Sequence, residues 1–169
     1  LNYATGNPVG LVASAQLLGL AGKPDMVHVP YKGEPAAVID LSSNRVQWMF
    51  SSPSSAENFV KSGKLRVLAT NLPQRSPYAP SVPSVNEYFP RFSVTAWAGL
   101  MAPRGTPKDI IDRLSREVNA ALNKPQTREK LDRLQYVGVG STPEEFNQFF
   151  VEQVGIYSTL LKEAGVQPE

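Results

Sequence analysis

Before residue 55 the chain three times sets out a short apolar run, a small polar loop and then a proline. Leu1–Tyr3 precedes Pro8, Met26–Val29 precedes Pro35, and Val46–Phe50 precedes Pro53. Proline suits the first turn of a helix, where its missing N–H would have had no partner. Runs this short and this uniformly apolar, separated by helices, predict a parallel sheet covered on both faces, hence an α/β fold. The spacing places helices over residues 8–21, 35–41 and 53–61, with Gly63 closing the third, and a further strand over Leu65–Thr70.

Residues 71–93 break this rhythm. Pro73, Pro77, Pro80 and Pro83 punctuate a stretch that holds one short helix, at about Ser84–Tyr88. It reads as a series of turns, or as an extended segment offered to a partner. Val94–Met101 then reads as a longer strand crossing from one lobe to another, which puts a domain boundary after residue 93. The last third is helical. Thr106-Pro107-Lys108-Asp109 and Thr142-Pro143-Glu144-Glu145 both read as a Thr cap followed by proline and acid in the first turn. Behind the first lies the stripe Ile110, Ile111, Leu114, Val118, Ala121 and Leu122; behind the second, Phe146, Phe149, Phe150, Val154, Tyr157 and Leu161. Stripes at this spacing belong to a core or an interface. A helix over Gln126–Leu134 and a strand-like Tyr136–Val139 lie between them, and Trp48 and Trp97 read as packing residues.

Composition narrows the function. With 41% hydrophobic residues among 169 the chain can bury a core, and 17 Lys and Arg against 15 Asp and Glu are too evenly balanced to point to nucleic acid. The absence of cysteine excludes disulfides, thiolate zinc sites and Cys nucleophiles. His28 sits between Val27 and Val29 with no acid at ligand spacing, so it reads as structural, and no metal or cofactor is expected. No Gly-x-Ser-x-Gly elbow occurs, and Gly138-Val139-Gly140-Ser141 lacks the rest of a phosphate-loop fingerprint. No enzyme is expected; the one catalytic reading left open rests on Lys32 and needs an apolar pocket around it. No apolar run reaches the length of a membrane span. The chain opens on Leu1-Asn2-Tyr3 without an initiator Met or a signal peptide, which reads as a processed product or a piece of something longer.

The most informative segment runs from His28 through Val29-Pro30-Tyr31-Lys32-Gly33 into Glu34-Pro35-Ala36-Ala37. It predicts a strand end, a tight loop closed by Gly33 and the opening of a helix. Such a loop aims backbone N–H groups and a helix N-terminus at one spot, which suits a small anion.

The same words carry a family resemblance. HVPYKG at 28–33, VQWMF at 46–50, GKLRVLAT at 63–70, RSPYAPSVPSVNEYFP at 75–90, TAWAGLMAPRGTP at 95–107 and VGVGSTPEEFNQF at 137–149 stand in one order. In that order they resemble the Bug-type substrate-binding proteins of tripartite tricarboxylate transporters, over essentially the whole chain. The resemblance implies a periplasmic-binding-protein-like fold of type II, whose two lobes close over a small organic acid. Residues 1–93 would be the second lobe, a short parallel-rich sheet flanked by helices. Residues 94–169 would be the crossover strand and the C-terminal helices of the first lobe, whose N-terminal part is missing. It further implies a periplasmic location, a small organic acid ligand and membrane transporter subunits as partners.

The family's second-lobe contacts map here onto Ala4, Thr5, Gly6 and Asn7, onto Tyr31, Lys32 and Gly33, and onto Ser51 and Ser52. The Thr5 hydroxyl and the Asn7 amide serve as ligand contacts, as helix caps, or as both. Lys32 is either an ion-pairing partner or a solvated loop residue. Glu34 replaces a common second glycine, and its carboxylate is expected to point outward, because inward it would repel an anion. With one wall of the cleft missing, weak binding by this chain alone is expected. The alternative is an interaction module, or a homodimer that shares its C-terminal helices.

Overall fold

The computed structural model describes residues 1–163. The chain forms two compact units: Leu1–Ala96, rejoined from Ile156 onward, and Trp97–Gly155. Among the described residues no helix is long and apolar enough to cross a membrane.

The first unit is built on a parallel sheet of three strands, β1 (Asn2–Thr5), β2 (Val27–Pro30) and β3 (Trp48–Met49), in the order β2-β1-β3. Helices α1 (Pro8–Leu20), α2 (Glu34–Ser42) and α3 (Pro53–Lys61) follow the strands in turn. The register sets Tyr3 beside His28 and Trp48, and Ala4 beside Val29 and Met49. Side chains alternate across a strand, so one face carries a ladder of stacked rings, Tyr3 on His28 at 5.0 Å and Tyr3 on Trp48 at 5.1 Å. Toward the other face Ala4 is fully buried with Ala37 and Val46, and Val29, Leu41 and Met49 pack around them. A separate cluster joins Val12 and Ala13 of α1 to Val85, Phe92, Val94 and Leu160. The Gln16 amide locks this cluster: its Oε1 accepts from the Ser93 N–H at 2.9 Å, and its Nε2 donates to Ser93 Oγ at 3.0 Å.

The second unit holds α4 (Lys108–Leu122), α5 (Pro125–Arg133) and the first part of α6 (Pro143–Glu163), which continues into the first unit. Trp97 sits edge-on among Phe146, Phe149 and Phe150, at ring distances of 6.0, 5.4 and 6.0 Å. Thr142 starts α6 with a reciprocal cap: its Oγ1 accepts from the Glu145 N–H, and the Glu145 carboxylate accepts from the Thr142 N–H at 2.8 Å.

Several elements depart from the sequence reading. Leu65–Thr70 is not a strand; its one ladder contact is an isolated bridge, Thr70 to Ser84. Val94–Met101 and Tyr136–Val139 form no strand either. A strand needs a partner strand along its length, and the hydrogen bonds these segments make, such as Tyr136 N–H to the Leu131 carbonyl and Val94 N–H to Gln16, do not build a ladder. Many of their apolar side chains stay exposed, Leu68, Leu100, Met101, Val137 and Val139 among them, although Val94 is buried in the core. The helix at residue 84 shrinks to a 3-10 turn, Val85–Glu87. Thr106 does not cap α4: Pro107 holds the cap position, and the Thr106 hydroxyl donates instead to the Pro103 carbonyl at 2.8 Å.

The 3-10 turn hangs on Ser84, which is 1% exposed. Its hydroxyl donates to the Leu72 carbonyl at 2.5 Å and accepts from the Asn86 N–H, while Glu87 closes the box on the Ser84 N–H and pairs with Arg75 at 2.7 Å. Ser84→Ala leaves the Leu72 carbonyl and the Asn86 N–H without these partners, and is expected to cost about 1–2 kcal/mol. Urea denaturation checks this; an unchanged midpoint would show that the hydroxyl contributes nothing.

Candidate functional site

Because β1, β2 and β3 run parallel, the loops that leave their carboxyl ends emerge on one side of the sheet, where ligands gather in open α/β sheets. These loops are Gly6–Asn7, Tyr31–Gly33 and Phe50–Ser52. The first two lie nearly in contact. A Cβ on Gly6 would stand 2.6 Å from the Glu34 nitrogen and 2.8 Å from the Gly33 carbonyl carbon. Both are backbone atoms that cannot swing away, so only glycine allows this approach.

Asn7 uses both ends of its amide. Its Oδ1 accepts from the Gly10 N–H at 2.6 Å and caps α1, and its Nδ2 donates to a Glu34 carboxylate oxygen. The other Glu34 oxygen accepts from Ser52 Oγ at 2.6 Å, the Ser52 N–H at 2.9 Å and Ser51 Oγ at 3.2 Å. The Glu34 side chain therefore points inward, contrary to the sequence expectation. The reason is electrostatic: the serine hydroxyls, a backbone N–H and the Asn7 amide supply the donors a half-buried carboxylate needs, beside the N-terminus of α3. Burial pushes the Glu34 carboxyl up, but the hydrogen bonds from Ser52, Ser55 and Ser51 outweigh it and hold the group below its ordinary value.

The remaining candidates divide by placement. Ala4 lies within β1, fully buried against the α2 side of the sheet. The Thr5 hydroxyl is also buried and shares a 2.7 Å hydrogen bond with His28 Nε2. Burial holds the His28 ring below its ordinary value. Tyr31 spends its N–H on the Thr5 carbonyl at 2.8 Å and its hydroxyl on Asp40 at 2.8 Å. Lys32 is exposed and has no acidic partner among the described residues. Gly6, Asn7, Gly33, Ser51 and Ser52 come together, with Glu34 at their centre. The N–H groups of Gly6, Asn7, Lys32 and Gly33 meet no acceptor among the described residues. The sequence reading named Glu34 but not its place at the centre of the cluster; the signal was an acid opening α2 while two serines precede Pro53.

A small parallel sheet flanked by helices, with its strand-end loops gathered on one side, is an architecture shared with periplasmic binding proteins. Within that class, the chain belongs to the tripartite tricarboxylate transporter family receptors (TctC), whose family model matches residues 1–166. It is 34% identical to a UPF0065 protein from the tcbD-tcbE intergenic region of Pseudomonas sp. strain P51, over 90% of this chain and 46% of that protein. BugT of Bordetella pertussis is 31% identical over 82% of this chain and 43% of its own length. Among solved structures, the periplasmic binding protein BugD matches with a TM-score of 0.80 at 27% identity, over 100% of this chain and 58% of BugD. MatC of Rhodopseudomonas palustris, solved with bound malate, matches with a TM-score of 0.71 at 29% identity, over 97% of this chain and 56% of MatC. The chain thus spans about half the length of these relatives.

Two outcomes follow from this geometry. Gly6→Ala forces backbone against backbone and is expected to destabilise the chain by about 1–3 kcal/mol, read from a thermal melt; a variant as stable as the parent would mean the two loops do not touch. Glu34 titrates lower folded than unfolded, so its contribution is present above its ordinary value of 4.5 and is lost as pH falls through the lower folded value. Urea melts are expected to show the parent more stable than Glu34→Gln near neutrality, with the gap closing below about pH 4.5. A gap that widened in acid would contradict the assignment.

Proposed function

We propose that this chain is part of an extracytoplasmic solute-binding receptor that captures a small organic carboxylate for a tripartite transporter in the periplasm. The observation that carries the reading is the set of unengaged N–H groups at Gly6, Asn7, Lys32 and Gly33, held together at the carboxyl ends of parallel strands in a chain of this family. Backbone donors at helix starts hold carboxylate oxygens without chemistry, so the mechanism is capture, and lobe closure excludes water. Malate bound to MatC supports the ligand class. Lys32 is exposed, whereas an amine made nucleophilic by desolvation needs an apolar enclosure; this favours binding over a lysine-based reaction.

We assign the first 93 residues, most of the first compact unit, to the second lobe of the receptor, and the helices of the second compact unit to its first lobe; the end of α6, expected with the first lobe, packs with α1 instead. The exposed face of α4, with Ile110, Leu114 and Val118 about two-fifths exposed, supports a missing partner surface for these helices. In the longer relatives that surface would come from the chain upstream; here a second copy would be the alternative. Light scattering after size exclusion separates the two: a dimer favours self-association, and a monomer favours the upstream segment.

A thermal-shift panel of small organic acids, run on this chain and on a form extended upstream, tests the function. The extended form is expected to be stabilised by at least one acid and this chain far less, because affinity depends on both walls of a cleft. Submicromolar binding by this chain alone would overturn the half-site reading. Silence from both forms would overturn the carboxylate reading.

A further inference from the structure

We propose that Glu34 sets the charge specificity of the strand-end site: it fills one anion position from within the chain, so a solute meets that point with an uncharged or cationic group and a second carboxylate is refused. The proposal rests on the solute-binding reading above and deepens it. The donors at issue are the Asn7 amide, the Ser51 hydroxyl and the N–H and hydroxyl of Ser52, and all of them converge on one carboxylate. One Glu34 oxygen takes three of these hydrogen bonds, which leaves no room on it for more. The other takes the Asn7 amide alone and keeps an acceptor site open. An incoming carboxylate at this position finds its donors taken and a negative charge beside it, both unfavourable in a half-buried setting. An incoming hydroxyl, amide or ammonium finds an acceptor.

The neighbouring N–H groups of Gly6, Asn7, Lys32 and Gly33 carry no such occupant. The site is therefore divided: an open anion position beside Gly6 and Gly33, and a filled one beside Ser51 and Ser52. The solute class this selects bears one carboxylate and, at the Glu34 end, a neutral or positively charged hydrogen-bond donor. Glu34 is a specificity residue rather than a structural cap on this reading. The cap position of α2 belongs to Gly33, while the Glu34 side chain reaches across to the loop before α3.

The test is an amide-resolved NMR titration of this chain with sodium acetate, against sodium chloride at equal ionic strength. In the parent the Ser52 amide is expected to stay still. In Glu34→Ala, where the donors are released, it is expected to titrate with acetate at least about tenfold more tightly than anywhere in the parent, the scale of one charge-assisted hydrogen bond. If Glu34→Ala fails to fold, Glu34→Ser opens the same position with a side chain suited to the start of a helix. The proposal is overturned if the Ser52 amide responds in the parent as it does in the variant, or stays still in the variant. Should the Gly6 and Gly33 amides respond to acetate while Ser52 in the variant does not, the solute site stands and the charge-specificity role falls. Should Ser52 respond only in the variant while Gly6 and Gly33 ignore every acid tried, the filled anion position stands and the solute reading fails.

Discussion

β1 is hydrogen-bonded on both sides, to β2 and to β3, and in the same sense on each. Parallel pairing requires a crossover between strands, and α1 and α2 supply those crossovers. From this one constraint the rest of the first unit follows. The sheet has two faces to cover, so Ala4 is pressed into the cluster with Ala37 while Tyr3 stacks between His28 and Trp48. All three carboxyl ends point the same way, so polar loops that are far apart in sequence meet in space. The approach is close enough that position 6 has no room for a side chain.

Bringing helix starts together concentrates unpaired N–H groups, and such a place is stable only if something negative, or water, answers them. Here the chain answers part of the demand itself. A carboxylate drawn out of water is costly unless its oxygens are hydrogen-bonded, and Glu34 meets that condition through Asn7, Ser51 and Ser52. The same side chain thus ties the loops after all three strands to one another. If Glu34 also sets the charge of the solute, as proposed above, the stability of the loop cluster and its choice of ligand rest on one group, so changing one changes the other.

Much of this was legible in the sequence. The prolines at 8, 35 and 53 marked the helix starts, and the apolar runs before them marked β1, β2 and β3. Asn7 was readable as a cap, and Thr142 with Glu145 as a reciprocal one. The failures have a common cause. Leu65–Thr70, Val94–Met101 and Tyr136–Val139 carry strand-like residues, but strand formation is a property of a pair, and periodicity says nothing about the partner. Thr106 shows the local version of the same limit, because its hydroxyl had a carbonyl closer at hand at Pro103. For the site, the loops could be named from residue type, but the direction of the Glu34 side chain could not. That direction depends on Ser51 and Ser52, which reach it only after the third strand is laid beside the first.

The helix α6 begins in one compact unit and ends in the other, and this has a bearing on when the protein becomes itself. Leu160 and the side chains around it complete the cluster formed by Val12 and Ala13, so that core is closed by residues made well after α1. Between Ala96 and Ile156 lies an excursion of roughly sixty residues, whose ends must be brought together at an entropic cost that grows only slowly with length. During synthesis the first unit therefore waits with part of the α1 face uncovered until α6 has been made. The first unit opens before the second and closes only after it, so its core stays incomplete until the second unit has been made.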